Sequence, residues 1–141
     1  MPTLRQLEAQ FLRYEERIET RDRLKGECWR VEGHQHTSDC FESYTGPQAY
    51  FVPVDTLAEA HGVEFDCPKC VGDPKVSHGV ICWSRSRGTP EHAEPGPGRW
   101  KMDGTSLDDL TLNADPPSGA RSVLLNGGCG WHGFVTDGKA E

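Results

Sequence analysis

The sequence predicts an α+β fold that is mostly β: a small zinc-ribbon-like antiparallel β domain with an N-terminal helix and long loops. Three observations lead there. Gly supplies 16 and Pro 10 of the 141 residues, and the hydrophobic share is only 35%, so the chain is rich in turns and has little material for a large core. The apolar runs are short and bounded by turn residues, as strands are. Six Cys and six His are present, and some Cys stand at metal-ligand spacing, so a bound ion can supplement a thin core.

Residues 3–18 read as an amphipathic helix. Thr3 and Gln6 have the spacing of a capping box, and Leu4, Leu7, Phe11, Tyr14 and Ile18 step by three and four along one helical face. The alternative is a short helix to about Gln10 and then a strand through Phe11-Leu12-Arg13-Tyr14; we favour the longer helix. Residues 20–48 are polar and carry Gly26, Gly33, Gly46 and Pro47, and read as an irregular arm. Residues 49–54 read as a strand, which Pro53 pushes to a sheet edge. A short helix over 55–62 would start at Asp55 and stop at Gly62. Val63-Glu64-Phe65 and residues 76–83 read as strands. Residues 84–106, with four Pro or Gly between 95 and 98, read as a long loop of the kind that often carries function. Short strands follow at 110–112, 122–125 and 133–136, the last ended by an Asp137-Gly138 turn. No internal repeat or linker divides the chain, so the expected organisation is one domain over 1–141. It comprises an N-terminal helix (1–19), a Cys/His-containing arm (20–48) and a zinc-stabilised β core (49–141).

Charge and targeting signals narrow the function classes. With 15 basic and 22 acidic residues the net charge is −7, which disfavours general nucleic-acid binding. No apolar run approaches the ~18 residues of a spanning helix. The start, Met1-Pro2-Thr3-Leu4-Arg5-Gln6, lacks the basic and apolar regions of a secretory signal. The expected location is therefore a reducing cytosol, where Cys/His clusters bind metal more often than they form disulfides.

The sharpest motif is a pair of knuckles, Cys67-Pro68-Lys69-Cys70-Val71-Gly72 and Cys129-Gly130-Trp131-His132-Gly133. Each sets two ligand types three residues apart with Gly close behind, so a tight turn can aim both at one ion. Cys67, Cys70, Cys129 and His132 are thus the expected structural zinc ligands. A redox dithiol would need a thioredoxin-like context that is absent. His78 and Cys82 could compete as ligands, but four apart in an unbroken strand they would lie roughly 13 Å from each other and not share a metal, and Cys82 reads as a small buried hydrophobe. In the arm, Cys28, His34, His36 and Cys40 fall within thirteen residues. Three readings stay open for them: a second zinc, thiols beside surface histidines, or a Cys28–Cys40 disulfide.

Catalytic constellations are weaker. His92-Ala93-Glu94 with the Cys67/Cys70 pair has the elements of a zinc deaminase in reversed order. Ser77, Ser84 or Ser122 could meet His78, His92, Asp108 or Asp109 in a hydrolase, but no Gly-x-Ser-x-Gly elbow exists. Trp83-Ser84-Arg85-Ser86-Arg87-Gly88 and Gly98-Arg99-Trp100-Lys101 set basic residues beside two tryptophans. They read either as a contact surface for a protein or nucleic acid, or as core tryptophans with solvated arginines.

The chain also resembles a family of small zinc-ribbon-like phage and prophage proteins, some of whose members carry an ammonia-monooxygenase name. The resemblance covers residues 49–138. It lies in Val54-Asp55-Thr56-Leu57-Ala58-Glu59-Ala60, Cys67-Pro68-Lys69-Cys70, His78-Gly79-Val80-Ile81-Cys82-Trp83 and Pro97-Gly98-Arg99-Trp100. It continues in Gly104-Thr105, Leu107-Asp108-Asp109-Leu110-Thr111-Leu112 and Gly128-Cys129-Gly130-Trp131-His132-Gly133-Phe134-Val135. The Cys28–Cys40 arm lies outside it. More distantly, the Cys pair, the Ser122-Val123 strand start and Cys129…His132 are similar to a peptidase domain encoded beside bacterial ubiquitin-like operons. The resemblance implies a phage-encoded accessory or interaction protein with a protein partner from phage or host, in the host cytoplasm or the virion. The alternatives are a zinc-stabilised serine-type peptidase acting on a ubiquitin-like protein and a nucleic-acid-binding zinc ribbon.

Overall fold

The structure is a computed structural model that describes residues 1–25, 40–73, 75–116, 119–125 and 129–141. The described residues are mostly strand and contain no α-helix. The chain divides into two compact units, residues 1–14 with 51–141, and residues 15–50.

The expected N-terminal helix is replaced by one closed turn and a long strand. Thr3 N–H donates to Gln6 Oε1 at 2.9 Å and Gln6 N–H to Thr3 Oγ1 at 3.1 Å, so the capping box forms. The turn then ends at once. Glu8 takes a left-handed φ of 53°, Glu8 N–H donates to Arg5 O and Ala9 N–H to Leu4 O, which is the Schellman closure of a helix C-terminus. From there β1 (Gln10–Leu24) begins, as in the alternative reading of Phe11–Tyr14. Ile18, which helical spacing would bury, is 72% exposed. Pairing with neighbouring strands overrides a helical period here.

Strand β2 (Phe41–Val54) begins well before the expected 49–54, inside the segment read as irregular. β1, β2, β3 (Gly62–Asp66) and β4 (Gly79–Trp83) form one sheet in the order β2-β1-β3-β4. β2 is therefore an edge strand, which tolerates Pro53. The expected helix at 55–62 is reduced to a 3-10 turn, Leu57–Glu59, and Gly62 already belongs to β3. The expected loop at 84–106 contains β5 (Trp100–Asp103), which pairs antiparallel with β6 (Thr111–Ala114). β7 (Val123–Leu124) pairs with β8 (His132–Gly133). β9 (Val135–Thr136) and β10 (Lys139–Ala140) form a hairpin through the Asp137-Gly138 turn.

The larger unit has one apolar core. Leu4, Leu7, Phe11, Val63, Phe65, Val80, Leu110, Leu112, Val123 and Val135 are buried together, with Trp131 edge-on to Phe65 at 6.0 Å. A second cluster joins Leu12, Tyr14, Trp83 and Ala93, and Trp83 is fully buried. The chain ends meet in this unit: Thr3 bridges Lys139, and Ala140 N–H donates to Pro2 O at 3.0 Å. The smaller unit has a different basis. Arg17 lies over the Tyr50 ring at 4.3 Å and Arg23 over Tyr44 at 4.6 Å. Thr20 meets Thr45 at 2.7 Å, and Arg23 pairs with Glu42 at 3.0 Å. Cross-strand pairs thus hold a hairpin whose side chains are mostly exposed.

The β9–β10 turn has positive φ at both central residues, 49° at Asp137 and 76° at Gly138, the signature of a two-residue hairpin. A Cβ at Gly138 would also stand 2.2 Å from Asp108 O. Gly138→Ala should therefore lower stability by more than about 1 kcal/mol in urea unfolding. Gly79→Ala, whose Cβ would find its nearest atom 4.0 Å away, should stay within about 0.5 kcal/mol. Equal effects would contradict this account of the turn.

Candidate metal centre

The centre is built at the loop end of the β3–β4 hairpin. After β3 the chain turns tightly: Cys70 N–H and Val71 N–H both donate to Cys67 O, at 3.2 and 2.9 Å. Gly72 completes the turn at φ +94°. This is the first knuckle expected from the sequence, and it leaves Cys67 and Cys70 on the same side, both buried. The β3–β4 ladder runs one rung past the strands, since Cys67 N–H donates to His78 O at 2.9 Å. That rung sets His78 directly across from Cys67. Cys129 arrives from the loop before β8, where Gly130 takes φ +67°.

Cys67, Cys70, His78 and Cys129 each offer one donor atom, and the four atoms lie within 4.8 Å of one another. Cys67 Sγ stands 3.5 Å from Cys129 Sγ, and His78 Nε2 stands 3.3 Å from the same sulfur. These sulfurs are not in a disulfide, whose bond is near 2.05 Å. Converging thiols and an imidazole at such separations form a donor set that could hold one metal ion. Lys69 Nζ donates to Cys129 O at 2.9 Å, so a cation lies beside three groups that become anionic on binding a metal.

The electrostatics differ among the thiols. Burial alone would raise Cys129. Hydrogen bonds from His78, from the Trp131 backbone N–H and from the Cys70 and Cys67 thiols outweigh it and bring Cys129 down to about 6. Cys70 is pushed up to about 11, first by desolvation and then by its bonds to Cys129 and Cys67. Cys82 lies apart from the cluster, and burial drives it well above the usual thiol range. It is 1% exposed and packs in the core, as expected.

Of the four expected ligands, the structure brings together Cys67, Cys70 and Cys129. His132 is exposed and sits in β8 opposite Leu124. Its neighbours Trp131 and Gly133 are buried, and strand alternation turns the residue between them outward. The fourth donor is His78, expected from the sequence only as a competing ligand alongside Cys82 or as a partner of a serine. The signal that could have found it is the hairpin: strands at 62–66 and 79–83 place residues 67 and 78 opposite each other. Of the arm cluster, Cys28, His34 and His36 lie outside the described residues, and Cys40 is buried.

The other candidate residues have structural partners. Ser84 is buried, with its Oγ 3.2 Å from Ser86 Oγ and 3.5 Å from Asp115 Oδ2. His61 Nδ1 accepts the Tyr14 N–H at 3.0 Å. The Ser122 carbonyl accepts from Trp100 Nε1. Arg85 pairs with Glu91 and donates to the carbonyls of Asp115 and Pro116. Arg87 donates to Leu57 O. Arg99, 1% exposed, donates to the carbonyls of Pro90, Glu91, Ala93, Pro95 and Gly98. The two tryptophans of the expected contact surface are buried, so these groups fasten loops from within.

A lowered thiol is reactive above its own pKa and loses its thiolate as pH falls through it. In the folded metal-free chain, iodoacetamide should alkylate Cys129 at lower pH than Cys70, whose thiol is raised, whereas Cys82 should resist labelling. Peptide mass mapping across pH checks both. In a chain shown to be folded by circular dichroism, a Cys129 that reacts no earlier in pH than Cys70 would contradict this geometry. The chain matches no protein-family model, and no curated protein or solved structure is significantly similar to it.

Proposed function

We propose that this is a zinc-tied β scaffold that works as a protein-interaction module, with the metal in a structural role. The carrying observation is the convergence of Cys67, Cys70, His78 and Cys129. Tetrahedral zinc with bonds of about 2.3 Å to sulfur and 2.0–2.1 Å to nitrogen separates its donors by about 3.5–3.8 Å. The separations of 3.5 and 3.3 Å around Cys129 Sγ fit that size. Three soft thiolates and one imidazole favour zinc over hard cations, which prefer oxygen.

Four protein donors complete a tetrahedron and leave no position for water or substrate, which favours a structural over a catalytic ion. Cys67, Cys70 and His78 belong to the β3–β4 hairpin, while Cys129 lies some fifty residues later beside β8. A shared ion therefore cross-links distant segments of a thin core, and binding is linked to folding. The buried pairing of Ser84 with Ser86 and Asp115 supports this reading over the serine peptidase. The internal ties of Arg85, Arg87 and Arg99 support it over nucleic-acid binding. The resemblance over residues 49–138 supports a phage-encoded accessory protein with a phage or host partner.

Elemental analysis and thermal unfolding test the metal reading. Cys67→Ser and His78→Ala should each lose the zinc held by this cluster and unfold at markedly lower temperature. His132→Ala, altering an exposed side chain, should keep both metal and melting temperature. Zinc loss in His132→Ala with retention in His78→Ala would reverse the ligand assignment. A wild-type chain without zinc would overturn the proposal.

A further inference from the structure

A groove of about 860 Å³ shares His78 with the cluster and is lined by residues 78–81, 95–100 and 122–125, with Arg85 and Ala120. Two strand edges border it. β4 is the last strand of its sheet. The bonds Cys67 N–H to His78 O and Ser84 N–H to His61 O set the phase of the β3–β4 ladder. With Phe65 opposite Val80 and Val63 opposite Cys82, the even residues of β4 bond to β3. Gly79 and Ile81 therefore turn their backbone groups to the outer edge. The same argument holds for β7. Leu125 N–H donates to Trp131 O and Val123 stands opposite Gly133, so Leu124 turns its N–H and C=O away from β8. Among the described residues, no group pairs with the backbone of Ile81 or Leu124 on these edges.

The side chains add a chemical preference. Leu124 is 54% exposed, and Val80, Ile81, Val123 and Leu125 make the groove apolar. Among the described residues its cationic side chains are Arg85 and Arg99, and no carboxylate lines it. Phosphates find little purchase, because Arg99 is buried and Arg85 is paired with Glu91. Two copies of so acidic a chain repel each other, which favours a different protein as occupant.

The geometry points to strand addition: the groove takes an extended segment of a partner protein, apolar at alternate residues. The segment pairs with the open edge of β4 at Ile81, its other edge facing Leu124. Outward backbone groups recurring every second residue match only an extended chain, whose main chain supplies affinity and whose alternate side chains supply selectivity. This inference rests on the interaction-module reading and names its surface and the class of partner.

The test presents the full-length, zinc-loaded protein with a displayed library of random short peptides, then resynthesises the strongest binder with single N-methyl amides along its length. Enriched sequences should alternate apolar and polar residues. N-methylation at every second position should weaken binding about tenfold, the worth of one lost hydrogen bond, and leave the intervening positions unaffected. Ile81→Pro removes an outward N–H and spares the ladder, and Leu124→Glu alters an exposed side chain. Each should weaken binding about as much, with zinc content unchanged; because Ile81 packs against the Trp83 cluster, Ile81→Ala, which loses the same side chain and keeps the N–H, is the control and should bind more tightly than Ile81→Pro. No enriched peptide, a methylation pattern without a two-residue period, or full affinity in both variants would overturn the inference. Self-association abolished by Ile81→Pro would overturn it by giving the edge to a second copy. Salt-sensitive binding of a single-stranded oligonucleotide in the groove would overturn it in favour of nucleic acid. Zinc stoichiometry on the same preparation separates the two readings. Periodic peptide binding by a zinc-free chain fails the metal reading alone, and a zinc-loaded chain that takes no peptide fails this one alone.

Discussion

The ladder between β3 and β4 is the constraint on which the larger unit depends. Its inward residues, Val63, Phe65, Val80 and Cys82, form the centre of the apolar core. Its extra rung, Cys67 N–H to His78 O, sets a thiol and an imidazole across from each other where the strands end. Its outer edge at Ile81 borders the groove. Apolar core, Cys/His cluster and open outer edge are thus three consequences of one register. A slip by a single residue would turn the buried set outward and part Cys67 from His78 together.

A chain with 35% hydrophobic residues cannot stabilise long loops by burial alone. The loop after β4 is instead organised around cations turned inward. Arg99 gathers five carbonyl oxygens between residues 90 and 98, and Arg85 and Arg87 fasten neighbouring segments to Asp115 and Leu57. A planar guanidinium with five donors suits this role, because unpaired buried carbonyls are costly. Asp109 works in the opposite sense. It accepts the N–H groups of Thr105 and Ser106, each at 2.8 Å, and those bonds hold its carboxyl below the usual range. In the 15–50 unit the same economy of apolar residues leads to Arg–Tyr and Arg–Glu pairs across the strands.

Much of the metal centre was legible from local spacing. Cys67 and Cys70 share a knuckle whose geometry depends on four residues and a following glycine, so sequence suffices to pair them. Cys129 was legible because it begins a second Cys-Gly turn. The fourth donor was not, because Cys129-Gly130-Trp131-His132 has knuckle spacing but opens into a strand. Trp131 is drawn inward against Phe65, and alternation then faces His132 to solvent. His78 reaches the site through a cross-strand hydrogen bond, a relation between residues eleven apart that no spacing rule encodes.

The fold divides along the same line. Sequence by itself determined what short-range chemistry controls: a β-rich, turn-rich chain, the Cys67–Cys70 knuckle, the Asp137-Gly138 hairpin, the edge position of the strand holding Pro53, and the capping box at Thr3 and Gln6. Tertiary structure decided what those signals leave degenerate. A capping box can open a long helix or a single turn, and the left-handed Glu8 followed by pairing of Gln10–Leu12 with Gly62–Glu64 chose the turn. Apolar residues three and four apart fit a helix face. They also fit a strand that buries Phe11 against one cluster and Leu12 against another. Only the partners across the sheet distinguish the two, because strand pairing is an interaction between segments and the sequence of one segment does not contain the other.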